Sequence, residues 1–180
     1  MRLYEGSVGQ FRDDVLQNKI GDLISRKYEE HYGRSVNPSE FNSWNVSLNF
    51  MKNALDFSGL HENRIIVEYE LPYSSRRIDV LLFGKSVKNE DNIVLIELKQ
   101  WSNENVEDCQ TEGNVVVNFG KFKKEQAHPS LQIQGYHFDL KDFMTVFEET
   151  PDISLSSCGY CHNYSHKENS VLYLSKFQQY

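Results

Sequence analysis

The sequence contains no apolar run approaching the roughly 20 residues that a membrane-crossing helix needs. Its first residues, MRLYEGSVGQ, lack the apolar stretch of a signal peptide, so the expected location is cytoplasmic, with no membrane partner. Cysteine is scarce. Cys109, Cys158 and Cys161 are an odd set, which argues against a disulfide framework. Positive charge is also short: 19 Lys and Arg face 26 Asp and Glu, for a net charge of −7. That balance counts against a broad phosphate-neutralising surface, although a local basic patch can coexist with an acidic whole. Internal repeats, low-complexity tracts and obvious linkers are missing too.

What is present suits an ordinary globular protein. Hydrophobic residues make up 39% and charged residues 25% of 180, both spread along the chain. That length fits one domain, or one domain with a helical annex.

Helical signals come first. Ile20, Leu23, Ile24 and Tyr28 share a helical face, and residues 7–32 read as two short helices or one broken helix, stopped by Gly33. Asn37, Pro38 and Glu40 form a cap, a first-turn proline and an N-x-x-E variant of the capping box. The stripe Phe41, Trp44, Leu48, Met51 and Leu55 then predicts a helix to about residue 55.

From His61 the period changes to two. Residues 64–72, 76–84 and 93–99 read as strands with short connections, hence an antiparallel meander, with a turn at Tyr73, Ser74 and Ser75. The third strand is apolar on both faces until Glu97, so it should be central. Residues 102–127 are polar, with one short strand expected at 115–119. A helix follows over about 129–149, with Tyr136, Leu140, Phe143 and Phe147 as its stripe, and Pro151 after it. Residues 153–164 suggest a strand pairing in parallel. The last segment, VLYLSKFQQY, has helical spacing, and the chain is expected to be the N-terminal part of something longer. The expected fold class is α/β: a central mixed β-sheet flanked by helices, with an N-terminal helical annex.

Three charges in the strands are unusual. Asp79 sits between Ile78 and Val80, and Glu97 and Lys99 end an apolar run on one face. A hairpin that sets Asp79 beside Glu97 juxtaposes like charges in a costly setting. Mg²⁺ or Mn²⁺, which prefers oxygen ligands, would resolve the conflict. Lys99 could then orient a water or stabilise phosphate charge. This is a minimal kit for phosphodiester hydrolysis. Glu68 is a further carboxylate for the metal shell, or else part of an exposed strand face.

The aspartate in RIDVLLFG and the E-x-K in IVLIELKQW resemble the PD-(D/E)XK nuclease pattern. Gln132 and Tyr136, four apart on one helical face, resemble the Q-x-x-x-Y element of its RecB-like branch. A narrower resemblance covers residues 1–165: NSWNVSLNFM, VEYELPYSSRRIDVLLFG, NIVLIELKQWS, HPSLQIQGY and CHNY look like the N-terminal nuclease domain of the Schlafen group 3-like DNA/RNA helicases. The resemblance implies a restriction-endonuclease-like core at 61–165, a helical region at 1–60 packed on it, and the start of a following segment at 166–180. It also implies a metal-dependent nuclease acting on DNA or RNA, with DNA the expected substrate. A helicase would follow in the full-length protein, in repair or phage defence. No G-x-x-x-x-G-K-[ST] loop occurs here. By the same resemblance Asp79, Glu97, Lys99 and Gln132 are catalytic, Asp79 and Glu97 hold the metal, and Tyr136 and Glu40 support the site; Glu68 joins the metal ligands only on the strand reading, as the further carboxylate.

Competing readings stay open. The domain could bind nucleic acid without cutting it, serve regulation, or form a homodimer. Glu40 could simply cap its helix, Tyr136 and Trp44 could be core, and Trp101 could line a cleft or pack. His128 could cap a helix or meet a phosphate. Arg76, Arg77, Lys121, Lys123 and Lys124 could form a phosphate-contacting rim or a solvated surface. Cys158-Gly-Tyr-Cys161-His162 matches a haem-attachment pattern, and with His166 offers zinc ligands. Buried free thiols are the default reading.

Overall fold

The computed structural model describes residues 1–72 and 74–180. The turn expected at Tyr73 lies partly outside these residues; its described part holds the bond from the Ser74 N–H to the Leu71 carbonyl, 3.3 Å.

The chain opens with strand β1 (Arg2–Ser7) and helices α1 (Val8–Leu16), α2 (Ile20–Tyr32) and α3 (Pro38–Asp56). Local chemistry sets their ends. The Ser7 hydroxyl caps α1 by accepting from the Gln10 N–H. Gly33 closes α2 in the left-handed region at φ 65°, where a Cβ would strain the backbone. Asn37 Oδ1 accepts from the Ser39 N–H at 2.8 Å, with Pro38 in the first turn. The capping box does not complete as expected: the Glu40 carboxylate turns outward to pair with Arg77.

Strands β2 (Arg64–Glu70), β3 (Arg77–Lys85) and β4 (Asp91–Ser102) form the antiparallel meander. A second, small sheet follows: β5 (Val106–Asp108), β6 (Asn114–Asn118) and β7 (Lys123–Ala127), all antiparallel. The sequence suggested only the middle one. Helix α4 (Pro129–Phe143) and the single turn α5 (Val146–Glu149) lead to β8 (Ser154–Asn163), which pairs in parallel with β4. The main sheet therefore has the order β1-β2-β3-β4-β8 and is mixed, with helices on both faces. Residues 171–173 and 175–177 form two 3₁₀ turns rather than an α-helix.

Two cores sandwich the main sheet. On one face Phe11, Ile24, Trp44 and Leu48 from α1–α3 pack on Ile65, Val67, Val80 and Ile96. On the other, Ile133, Tyr136 and Leu140 of α4 pack on Ile66, Leu81 and Leu95. Burying each such aliphatic side chain contributes about 1.5–3 kcal/mol. Phe143, expected in the α4 stripe, is 56% exposed, because the helix ends there and Met144 turns extended. A third cluster joins Trp101, Val115 and Val117 to Leu172 and Phe177 of the C-terminal turns. No described helix is long and apolar enough to cross a membrane.

Candidate active site

Side-chain alternation breaks where β2 meets β3, and the site lies there. Val67 faces the α1–α3 core, yet Tyr69 packs on the α4 side. Between them Glu68 adopts φ 55°, a left-handed conformation that costs a non-glycine residue about 1–3 kcal/mol. The neighbouring strand slips in step: Val80 belongs to the first core and Ile78 to the second. Asp79 sits at that slip.

The register brings Asp79 to Glu97. The β3–β4 pairing ends at Val80 opposite Ile96, so the next positions along the ladder are these two carboxylates. Beyond that pair the strands no longer bond backbone to backbone. Instead Asp79 Oδ2 accepts from the Leu98 N–H at 2.6 Å. Burial raises the Asp79 carboxyl well above its ordinary range, and the charges of Glu97 and Glu68 raise it further. Glu97 is also raised, chiefly by burial and against the pull of Lys99.

Glu97, 3% exposed, anchors a dense network. Its Oε1 accepts from Lys99 Nζ at 2.7 Å and from Gln132 Nε2 at 2.7 Å. Gln132 Oε1 accepts from Lys99 Nζ at 2.9 Å, and Gln132 Nε2 also donates to the Tyr136 hydroxyl at 2.9 Å. The amide of Gln132 is thus fully used, which fixes its orientation. Burial pushes the Tyr136 phenol up to about 12, so it stays protonated. Glu97 Oε2 is buried with no hydrogen-bond partner. Such an oxygen is costly unless something electropositive meets it.

The helix that delivers Gln132 is seated closely. Gly159 of β8 lies opposite Glu97 of β4, and a Cβ at Gly159 would come within 2.8 Å of Pro129 Cβ. The missing side chain lets the first turn of α4 settle against the sheet beside the carboxylates. His128 caps that helix: its Nδ1 accepts from the Ser130 N–H at 3.2 Å, and its Nε2 meets the Leu172 carbonyl at 3.1 Å.

Glu68 stands behind the pair. Trp44 Nε1 donates to it at 2.8 Å and Arg77 Nε approaches at 3.2 Å. Burial raises its carboxyl to about 7. Arg77 also binds Glu40 and lies over the Tyr28 ring at 5.6 Å, so its charge is directed inward. Arg76 pairs with Asp139 at 2.5 Å and Lys123 with Glu107 at 2.6 Å, while Lys121 and Lys124 are exposed.

A groove of about 1020 Å³ opens beside Lys99. Lys99 and Trp101 line it, as do Ser39, Asn42 and Ser43 of α3 and Phe119 and Gly120 of the small sheet. Trp101 is buried, and its ring lies 5.3 Å from Lys99 Nζ, so it both packs and borders the groove. The α3 contribution was missed in the sequence. Its signal was available: Ser39, Asn42 and Ser43 form a polar stripe beside the apolar one. Gln100 was missed as well; its amide donates to the Ser43 carbonyl and to the Ser43 and Ser47 hydroxyls, tying β4 to α3. A second cavity, about 930 Å³ and lined mainly by apolar side chains such as Ile66, Leu81 and Met144, lies towards the far end of α4.

Among the described residues, no three His, Cys, Asp or Glu side chains converge to hold a metal. Cys158 and Cys161 pair in register with Ile96 and Lys99, and His162 stacks on Phe50. Cys158 is exposed rather than buried, because β8 is an edge strand. Asp79 and Glu97 offer an oxygen-only pair, with Glu97 Oε2 free to take a hard divalent cation. No protein-family model, curated protein or solved structure matches the chain.

Proposed function

We propose that this domain is a metal-dependent nuclease with a restriction-endonuclease-like core, hydrolysing phosphodiester bonds. The observation that carries the reading is the pair Asp79 and Glu97. Burial and the charge of Glu97 raise the proton affinity of Asp79, and the buried Oε2 of Glu97 has no donor. A cation removes both penalties at once. Mg²⁺ or Mn²⁺ held by Asp79 and Glu97 would supply Lewis acidity towards a phosphoryl oxygen.

The remaining chemistry belongs to the chain. Lys99 Nζ, held against Glu97 and Gln132, presents its ammonium group in the lining of the groove. There it stabilises charge developing on the phosphate or orients the attacking water. Gln132 hydrogen-bonds both Lys99 and Glu97, and Tyr136 holds Gln132. Glu68, Trp44, Arg77 and Glu40 brace the strand that carries Asp79. Attachment to a helicase, a cytoplasmic setting and a role in repair or phage defence are part of the same proposal and rest on the sequence resemblance.

The test is incubation with single- and double-stranded DNA and RNA in Mn²⁺. The wild type should cut at least one of them. Asp79→Asn and Lys99→Ala should each slow cutting by about 100-fold or more, the usual scale for a group acting on the reacting atoms. Binding without cutting would recast the domain as a nucleic-acid-binding module. Cutting that survives Asp79→Asn would overturn the site.

A further inference from the structure

The hairpin between β6 and β7 carries an exposed aromatic pair that neither core uses. Phe119 is 48% exposed and Phe122 59% exposed, with ring centroids 5.3 Å apart and planes inclined by 31°. Exposing two phenylalanines at one hairpin tip forgoes burial that each could gain elsewhere. The tip is firmly built. The Phe119 N–H donates to the Phe122 carbonyl at 2.9 Å, Asn118 Oδ1 accepts from the Gly120 N–H at 2.8 Å, and Gly120 takes φ 82°.

Its surroundings point to the occupant. Phe119 lines the same groove as Lys99 and Trp101. Lys121 lies between the two phenylalanines in sequence, and Lys124 follows; both are exposed, and among the described residues neither has a carboxylate partner. An apolar partner would leave these cations without counter-charge. A duplex would hide its base faces from the rings. A strand with unpaired bases satisfies both: bases stack on aromatic faces while lysines follow the phosphates.

We infer that the Phe119–Phe122 tip is a base-stacking platform, which makes single-stranded nucleic acid the substrate class of the groove leading to Lys99. The inference rests on the nuclease reading in taking nucleic acid as the occupant, and it is tested separately from cutting. The measurement is fluorescence anisotropy of a labelled oligo-dT and of a duplex of equal length, in EDTA so that nothing is cleaved. Oligo-dT should bind more tightly than the duplex. Phe119→Ala with Phe122→Ala should weaken oligo-dT binding about five-fold or more and leave duplex binding unchanged. Phe119→Tyr with Phe122→Tyr should retain it, which separates stacking from a folding defect. Equal affinity for the two ligands, no binding of oligo-dT, or full affinity in the double alanine variant would each overturn the platform. Cutting in Mn²⁺ with unchanged binding in the alanine variant would sink the platform and leave the nuclease. Stacking-dependent binding without cutting would do the reverse.

Discussion

Asp79 is held where its charge is least welcome, and that has a measurable consequence for stability. Its carboxyl is raised by burial and by Glu97 and Glu68. The native state therefore holds a proton that the unfolded chain releases at ordinary carboxylate pH. By linkage, this contribution is fully present below the unfolded value and is lost as pH rises through the folded one. Metal-free protein should thus lose stability as pH rises above the ordinary carboxylate range. Asp79→Asn keeps an acceptor for the Leu98 N–H and removes the charge. In EDTA at pH 8 it should melt a few degrees above the wild type, and its melting temperature should depend less on pH. Adding Mn²⁺ should raise the wild-type melting temperature and leave the variant unmoved, because only a native-state ligand site stabilises by mass action. A variant less stable than the wild type at pH 8, together with no Mn²⁺ shift in the wild type, would contradict this account. The trade of stability for a charged site is common where function needs an unfavourable arrangement.

At the scale of elements, α4 and β8 decide whether the network assembles. Gln132 reaches Glu97 only because the first turn of α4 lies against Gly159. Gly159→Ala would set its Cβ 2.8 Å from Pro129 Cβ, closer than carbon atoms settle, so the first turn of α4 must shift outward. The expected cost is about 1–3 kcal/mol of stability, as for other overpacked contacts. Cutting should fall more steeply than substrate binding, since no α4 residue is in the lining of the groove. Paired thermal melts and kinetic measurements check this, and an alanine variant with wild-type turnover would contradict it. Gly159 shows what the sequence does and does not reveal. The strand and its parallel pairing were legible from a long helix followed by an extended run. The close approach was not, because it depends on where Pro129 docks. The three meander strands and α3 were legible because period and caps agreed. Strand β1 was hidden by its pattern, because its main apolar residues Leu3 and Tyr4 are adjacent and give no alternation. The outer strands β5 and β7 were hidden by polarity: KKEQA has no apolar alternation, and Val115 and Val117 of β6 supply the inward face.

Across the whole molecule, charge is organised by neutralisation more than by display. Glu97, Lys99 and Asp79 were readable as a cluster because charges inside apolar strands are rare. Arg76, Arg77 and Lys123 were readable only as cations. Their partners Asp139, Glu40, Glu68 and Glu107 come from distant segments that sequence spacing does not bring together. The result is that few lysines near the groove remain for phosphate, chiefly Lys121 and Lys124, with Lys99 at its end. Each phosphate neutralised on a single strand contributes about −0.7 to the slope of log affinity against log salt concentration. Two or three contacts predict a slope between about −1.4 and −2.1. Lys121→Ala with Lys124→Ala should flatten it by about 1.4. Titrations of oligo-dT at several salt concentrations measure both values. A much steeper slope in the wild type would mean that nucleic acid reaches a basic surface elsewhere on the domain. A wild-type slope unaffected by the double substitution would remove these lysines from the path. On the proposed reading, a shallow slope agrees with the net charge of −7: so acidic a domain would hold a single strand through a short stretch of contacts, with the proposed stacking tip and carboxylate pair at its ends.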